Sequence, residues 1–442
     1  MLFERPEVGH RAVVLQVELR DQPNPDRDEF VELARSAEID VRKVVLARRD
    51  TPSPRFFVGT GKVDELKGTL RGSRAKLVLI NHELSAGQQR NLEQALDCRV
   101  MTRTELILAI FADRARSHEG QLQVELAQLT HAQTRLVRGW THLDRQKGGV
   151  NLRGAGEKQI ELDQRMLSER IKAMEKKLAT VAKRRGQSRR GRHRKGAPTV
   201  ALAGYTNAGK STLFNALTRA DVYAEDQLFA TLDPTMRRLA VPGLREAVLA
   251  DTVGFVSLLP HALVEAFKAT LEEVVYADLL LHVVDVADAL CALRISQVRE
   301  VLAEIGATNV PELLVFNKAD LVPGGLPAAR ELARHVVQEV AMHGPTARGD
   351  RATDAVTISA LSGEGADELV AAIGAALGVV APHEVLLDAG DGRTRAWLYR
   401  SGAVLDEAMT EDGRTQLTLQ ADASLMQQLI SHPEVTLRSH EA

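Results

Sequence analysis

Several things that are scarce in these 442 residues narrow the reading first. Cysteine occurs twice, as Cys98 and Cys291. The two lie far apart in sequence and in candidate domains, so both are expected to be buried thiols in a reducing, cytoplasmic setting rather than half of a disulfide framework. Long apolar runs are missing as well. The most apolar stretch, ADLLLHVVDVADAL, is interrupted by Asp285 and Asp288, and the opening MLFERPEVGH carries acids and a proline where a secretory signal needs an apolar region. The expectation is a chain that is neither exported nor integral to a membrane, with peripheral association through basic helices left open. No repeat of solenoid period is present.

Net charge is also small, −2, but it hides an asymmetry. From Asp113 to Lys195 there are 21 Lys/Arg against 9 Asp/Glu, a surplus of +12 that leaves −14 for the rest of the chain. Within that region AKRRGQSRRGRHRKG contains no acid at all. Charged faces commonly do no more than solvate a helix, but an unbalanced block of this kind usually meets phosphates or stays disordered.

At 44% hydrophobic and 26% charged, the chain has the composition of two to four globular units, each able to bury a core. Four are expected: an N-terminal α/β domain over 1–112, a helical hairpin with a basic linker over 113–197, a nucleotide-binding domain over 198–378 and a small α+β domain over 379–442. In the first, RAVVLQVEL and KLVLINHEL read as buried strands, and SAGQQRNLEQALD as a serine-capped helix. FFVGTGKVDEL invites a phosphate-loop reading through Gly59, Gly61 and Lys62. Its spacing is wrong for one, and Val63 stands where a metal-binding hydroxyl belongs, so a structural glycine turn is preferred. In the second unit, leucines at 122, 126, 129 and 136 form one helical seam, and Leu167, Ile171, Met174, Leu178 and Val181 another. Two such helices joined by RGWTHLDRQKGGVNLRGAGEKQ predict an antiparallel hairpin about 30 Å long with an exposed, basic tip. The seams are packing; the tip, if not merely solvated, is placed to probe RNA. The basic run before Ala197 reads as a linker. In the last unit TRAWLYRSG and RTQLTLQ read as strands and DASLMQQLIS as a helix.

The chemistry is concentrated in the third unit. GYTNAGKS, Gly204 to Ser211, has the G-x-x-x-x-G-K-[ST] spacing between a predicted strand and a predicted helix. Here Gly204, Tyr205, Thr206, Asn207, Ala208 and Gly209 would close backbone N–H groups around phosphates, Lys210 would neutralise the β- and γ-phosphate oxygens, and Ser211 would ligate Mg²⁺. NKAD, Asn317, Lys318, Ala319 and Asp320, selects the base, because a carboxylate accepts both N1–H and N2–H₂ of guanine while adenine presents the opposite pattern. Ser359, Ala360 and Leu361 would offer a backbone N–H to the guanine O6. DTVG, Asp251, Thr252, Val253 and Gly254, supplies a carboxylate for water-mediated magnesium binding and an N–H for the γ-phosphate. In Phe229, Ala230, Thr231, Leu232 and Asp233, the Thr231 hydroxyl is the expected second magnesium contact, with Thr235 the alternative. The order of the motifs, each after a predicted strand, predicts a GTPase with Lys210, Asn207, Thr231 and Gly254 in the catalytic roles and two switches released when the γ-phosphate leaves. Phe255 follows DTVG where a glutamine commonly positions the attacking water. An apolar ring cannot do that, so isolated turnover is expected to be slow, with the missing group supplied by a partner. His261 and Glu265 are candidate bases, although a histidine at a helix start is more often a cap.

Joined to IFADRARSHEGQLQVELAQL and GGVNLRGAGEKQIELDQR, these motifs make the chain resemble, over nearly its whole length, the HflX family of GTPases in the Obg-related branch. The resemblance implies an N-terminal α/β domain, a long helical hairpin, a Ras-like P-loop domain and a small C-terminal domain. It also implies a monomeric, GTP- and GDP-binding factor for the large ribosomal subunit and its rRNA, one that separates stalled or idle ribosomes under stress. Asn207 resembles the asparagine of potassium-activated GTPases, in which K⁺ takes part of an arginine finger's role; the alternative is that it only stabilises the loop. Candidate RNA contacts are Arg145, Lys147, Arg153, Lys158, Arg184, Arg185, Arg189 and Arg190. Competing readings are an assembly factor for immature large subunits and an RNA-remodelling ATPase working through the N-terminal domain.

Overall fold

The structure, a computed structural model, describes residues 10–20, 26–140, 155–194, 197–218, 228–229, 235–244, 246–257, 271–343, 355–378, 383–388, 390–401, 403–410, 412–419, 429 and 435–438. The expected hairpin tip with Arg145, Lys147 and Arg153 lies outside them, as do Ala230 to Asp233, His261, Glu265 and nearly all of DASLMQQLIS; the side chains of Lys158 and Arg190 do too.

Strand β1 (Arg11–Leu19) shows why the first unit folds as a layered α/β structure. Ala12 and Val14 face one core while Val13, Leu15, Val17 and Leu19 face another, so both faces of the strand are buried. Around it run α1 (Arg27–Ser36), β2 (Asp40–Arg49), α2 (Thr60–Ser73), β3 (Leu77–Ile80), α3 (Ala86–Leu96), β4 (Arg99–Thr102) and α4 (Arg103–Arg114), giving a parallel sheet in the order β2-β1-β3-β4. Ser85 and Thr102 close capping boxes with Gln88 and Glu105 at the starts of α3 and α4. The predicted strand KLVLINHEL is cut to Leu77–Ile80; Asn81 N just beyond it still donates to Leu15 O at 3.2 Å, and its side-chain amide donates to Gln16 Oε1 at 2.8 Å. Gly61 is not a turn residue: it and Lys62 sit in the first turn of α2, where Lys62 Nζ pairs with Glu65 at 2.6 Å.

Helices α5 (His118–Trp140) and α6 (Ala155–Arg194) pack on each other through Leu122, Leu129 and Met174, with Leu126, Leu167, Ile171 and Leu178 at the margins. The basic run is therefore no linker. Lysine and arginine are good helix formers, and α6 carries them without a break to Arg194, 40 residues or about 60 Å of helix, twice the expected length.

The third unit holds β5 (Thr199–Gly204), α7 (Lys210–Thr218), β6 (Thr235–Leu239), β7 (Ala247–Asp251), β8 (Leu279–Asp285), α8 (Cys291–Glu304), β9 (Glu312–Asn317), α9 (Gly325–His343), β10 (Ala355–Thr357) and α10 (Ala366–Ala376). The sheet order is β10-β9-β8-β5-β7-β6, parallel except for β6, the arrangement of a P-loop GTPase domain. Its near-continuous apolar strands, such as TVALAG and LLLHVVD, are covered on both faces. The last unit is an antiparallel sheet, β12-β13-β11-β14, from β11 (His383–Leu387), β12 (Val404–Met409), β13 (Thr415–Leu419) and β14 (Val435–Arg438). TRAWLYRSG, expected as a strand, is helix α11 (Gly392–Ser401), begun by Asp391 accepting from Thr394 N and anchored by Trp397 and Leu398 on the sheet. No helix among the described residues is long and apolar enough to cross a membrane. Cys291 is buried, but Cys98 is only half-buried; burial pushes their thiols up to about 12 and about 11, which leaves both protonated and unreactive.

Candidate active site

Four motifs meet at the carboxyl ends of β5, β7, β9 and β10. The P-loop turns between β5 and α7, and its geometry depends on Gly209, which has φ of +89° and so near an approach to Asn317 that an added Cβ would lie 2.2 Å from Nδ2. Asn207 also sits in the left-handed region, at φ +60°, which asparagine tolerates better than most residues. Asn317 holds two loops together: its Nδ2 donates to Ala208 O at 2.9 Å, and its Oδ1 accepts from Ala360 N at 2.9 Å. Asp320 stays exposed while Ser359 Oγ donates to its Oδ1 at 2.6 Å, which aims the carboxylate. Lys318, in the left-handed region, is steered by an ion pair with Asp285 at 2.9 Å. The structure thus brings the NKAD and SAL loops to the P-loop through Asn317.

On the phosphate side, Lys210 is buried, and its Nζ donates to Tyr205 O at 2.7 Å. Burial pushes the ammonium down to about 8, against the opposing pull of the Asp251 carboxylate. Ser211 Oγ donates to Asp251 Oδ2 at 2.9 Å. A hydroxyl beside a carboxylate is the oxygen donor set a hard divalent cation takes, so the residues present fit Mg²⁺. Thr235 opens β6 directly across the ladder from Asp251, whereas Thr231 lies outside the described residues. Gly254 is pressed against Lys210: a Cβ there would stand 2.8 Å from Nζ.

Other predicted positions turn away from the cradle. Thr252 is wholly buried, its hydroxyl donating to Leu202 O at 2.6 Å. Ala319 is core, and Leu361 is 80% exposed. Phe229 and Val253 pack into the core of the N-terminal sheet, Phe229 edge-on to Phe111 with ring centres 4.6 Å apart. Their side chains are packing residues, so only their backbones face the question of nucleotide contact. Phe255 is 2% exposed, its ring packed among Tyr205, Leu271, Val274 and Leu280. Its backbone bridges the P-loop, accepting from Thr206 N at 2.7 Å and donating to Gly204 O at 3.1 Å.

The sequence reading missed a buried polar cluster that joins this site to the N-terminal sheet. Arg103, at the start of α4, donates to Ser257 O at 2.8 Å and to Asn81 Oδ1 at 3.0 Å, and pairs with Glu29 of α1. Glu29 also accepts from the Tyr205 hydroxyl and, at 2.9 Å, from Ser257 Oγ, while Ser257 N donates to the Tyr205 hydroxyl at 2.6 Å. Arg294 lies over the Tyr205 ring at 4.1 Å. Burial, then the Glu29 charge, holds the Tyr205 phenol well above its ordinary range, so it donates as a neutral hydroxyl. Leu228 N donates to Ser36 Oγ at 3.1 Å. One signal was available: Glu29 falls on the apolar face of α1 with Phe30 and Leu33.

Two proposed RNA contacts are occupied within the protein. Arg185 pairs with Glu119 at 2.9 Å, and Arg189 with Glu272 at 3.0 Å, so each guanidinium already holds a carboxylate of the chain. Arg184 is exposed on α6.

Comparison with known proteins matches four family descriptions along the chain: "GTP-binding GTPase N-terminal" over 25–112, "GTP-binding GTPase Middle Region" over 114–192, "50S ribosome-binding GTPase" over 199–318 and "HflX C-terminal domain" over 346–431. GTPase HflX of Escherichia coli K12 is 47% identical over 418 residues, 94% of each chain. GTPase HflX of Magnetococcus marinus is 43% identical, covering 96% of this chain and 95% of that one. Among solved structures, the SsGBP–GDP complex is similar at 24% identity and a TM-score of 0.47, over 82% of this chain and 97% of that chain.

Proposed function

The chain belongs to the HflX family of GTPases, and from that premise we propose that it binds the large ribosomal subunit in its GTP form and promotes the separation of stalled or idle ribosomes. It cleaves GTP to GDP and phosphate. In the proposed site Asp320 reads guanine, Gly204 to Ser211 and Lys210 hold the phosphates, and Ser211 with Asp251 holds Mg²⁺, which when bound screens phosphate charge. Thr231 and Gly254 answer to the γ-phosphate. K⁺ at Asn207 belongs to the same proposal, as do RNA contacts by Arg145, Lys147, Arg153, Lys158, Arg184 and Arg190.

One observation carries the dependence on a partner. Phe255 is locked into the core by its ring and onto the P-loop by its backbone, so the position that often orients water offers no side chain to do so. A catalytic group, or an ordering of the groups present, then has to come with docking. Support for the ribosome as that partner is the match over 199–318 to a family described as 50S ribosome-binding, together with the surplus of +12 over 113–195.

The test is GTP turnover with and without purified large subunits, in potassium and then in sodium, alongside sedimentation of intact ribosomes with a non-hydrolysable GTP analogue. The expected result is slow intrinsic turnover, marked stimulation by large subunits and loss of the intact-ribosome peak. Brisk turnover of the isolated chain, unaltered by subunits, would reject the reading. Accumulation on immature particles without loss of that peak would replace splitting by assembly.

A further inference from the structure

Near its C-terminal end, α6 makes an unusual contact. Arg189 donates through Nη1 and Nη2 to Glu272 Oε2 at 3.0 Å each, approaches Glu273 Oε1 at 3.5 Å and lies with its Cζ 4.3 Å from the centre of the Tyr276 ring. Glu272, Glu273 and Tyr276 follow the DTVG motif and lead into β8. Arg189 is 19% exposed and Glu273 only 3%, so this is not one of the solvated surface pairs that contribute little. Two fork donors on one carboxylate plus a stacked ring fix the orientation of the guanidinium as well as its position, which a lysine would not do.

The two ends of the connection give the contact its meaning. Arg189 is 34 residues from Ala155, so about 50 Å of uninterrupted helix separates it from the hairpin's tip-facing end. Arg170 and Arg185 pair α6 to Glu125 and Glu119 of α5, and α5 in turn is pinned to the N-terminal sheet by Val124, Ala127 and the Arg135–Glu105 pair at 2.6 Å. Beyond Arg189, α6 leads within a few residues into β5, the strand that ends in the P-loop. Thr199 at the head of β5 is tied to Asp278, two residues past Tyr276, by Thr199 N to Asp278 Oδ2 at 2.7 Å and Asp278 N to Thr199 O at 2.8 Å. A displacement of α6 therefore reaches the segment after DTVG through one arginine and the P-loop through one strand.

We propose that Arg189 is the positioning residue through which the helical hairpin and the GTPase switch read each other's state. The proposal rests on the function inferred above only for what moves the hairpin; the coupling is a property of the chain alone. Coupling between two binding events is reciprocal, so it is measurable without a ribosome. If docking at the hairpin alters the switch through Arg189, then the nucleotide must alter α6 through Arg189.

The experiment is amide hydrogen exchange on the full chain with GDP and with a non-hydrolysable GTP analogue, reading peptides from 170–194. In the unaltered protein, exchanging the nucleotide is expected to change protection there by about fivefold or more. Arg189→Ala should lose that response while binding GDP within about twofold of the parent, since among the described residues the partners of Arg189 are Glu272, Glu273 and Tyr276, none of them in the nucleotide site. Arg189→Glu combined with Glu272→Arg should restore it; Arg189→Lys should restore it in part. A tether without a coupling role gives the opposite pattern: lower thermal stability in Arg189→Ala, with the nucleotide response of α6 intact. That pattern overturns the proposal, as does an α6 indifferent to nucleotide in the unaltered protein. Stimulation by large subunits is measured on the same variants. Failure of the unaltered protein to be stimulated removes the ribosome reading and leaves the exchange result standing; stimulation in Arg189→Ala equal to that of the parent removes the coupling and leaves the ribosome reading standing.

Discussion

Replacing Lys210 by methionine should make the nucleotide-free protein more stable while abolishing its function. The ammonium is buried, and the gap between the ordinary value of 10.5 and about 8 corresponds to about 3 kcal/mol of disfavour for the charged form in the folded state. Lys210→Met removes that penalty and also the bond to Tyr205 O, which contributes about 1 kcal/mol. The net gain is about 2 kcal/mol, which for a unit of about 150–250 residues raises Tm by roughly 4–8 °C. The pH dependence has a definite sign. Below about 8, folded and unfolded chains both carry the proton and the penalty is present in full. Between about 8 and 10.5 the folded chain has released the proton and the unfolded chain has not, so stability from this group rises with pH; above 10.5 the penalty is gone. The advantage of Lys210→Met should therefore be greatest at pH 7 and shrink through that window. Differential scanning calorimetry of the nucleotide-free proteins measures it, using the transition that moves on adding GDP to the parent, because a chain of several units need not unfold in one step. GDP should leave that transition unmoved in the variant. A variant that melts at or below the parent at pH 7, or an advantage that is flat between pH 7 and 10.5, would refute the claim that the nucleotide-free fold holds Lys210 as a buried charge that Asp251 only partly compensates.

Three further outcomes follow from the same geometry. Asp320→Asn should weaken GDP binding about 10- to 100-fold, the cost of charge-assisted bonds to the base, without moving the thermal transition of the nucleotide-free protein; isothermal titration decides, and unchanged affinity sinks the base-reading role. Glu29→Ala leaves the Arg103 guanidinium buried without its carboxylate and should cost about 3–5 kcal/mol in chemical denaturation, so a loss below about 1 kcal/mol would mean the cluster is solvated. Phe255→Gln should not speed GTP turnover. It should cost about 2–4 kcal/mol by placing an amide in an apolar core, and a rise in turnover with intact stability would show that the side chain reaches the phosphates after all.

How much of this was legible follows from the range of the forces concerned. The P-loop, NKAD and SAL elements depend on backbone turns and a few short-range contacts, and their spacing announces them in GYTNAGKS and NKAD before any fold is known. The seams of the hairpin are legible for the same reason, since Leu122, Leu129 and Met174 repeat with the helix itself. The end of α6 was misread because charge density was taken for a break, although arginine and lysine propagate a helix well. TRAWLYRSG was misread because its aromatics favour strands locally, while Thr394, Trp397 and Leu398 fall on one helical face and the sheet decided the outcome. The place of Glu29 on the apolar face of α1 announces its burial but not its partner, and Arg103 and Arg189 carry no local sign, since nothing within ten residues of any of the three identifies a partner 74 to 228 positions away.

Those long-range contacts bear on how the switches can move. Both are attached to the N-terminal sheet: Leu228 and Phe229 by a bond to Ser36 and the ring of Phe111, and Val256 and Ser257 by the α1–α4 core and the Arg103–Glu29 pair. Withdrawing Ser257 alone would leave Arg103, Glu29 and the Tyr205 hydroxyl short of partners in a buried site, where each missing bond costs about 1–3 kcal/mol. Such a cluster therefore favours two outcomes over any between them: the switch stays with α1 and α4, or the whole contact opens and water solvates every member. Tyr205 makes the choice matter to the nucleotide, because its carbonyl accepts from Lys210 while its hydroxyl belongs to the interdomain cluster. A phosphate that draws Lys210 away from that carbonyl acts on the same residue that Glu29 holds from the other side, so the energetics of the P-loop and of the domain contact cannot be independent.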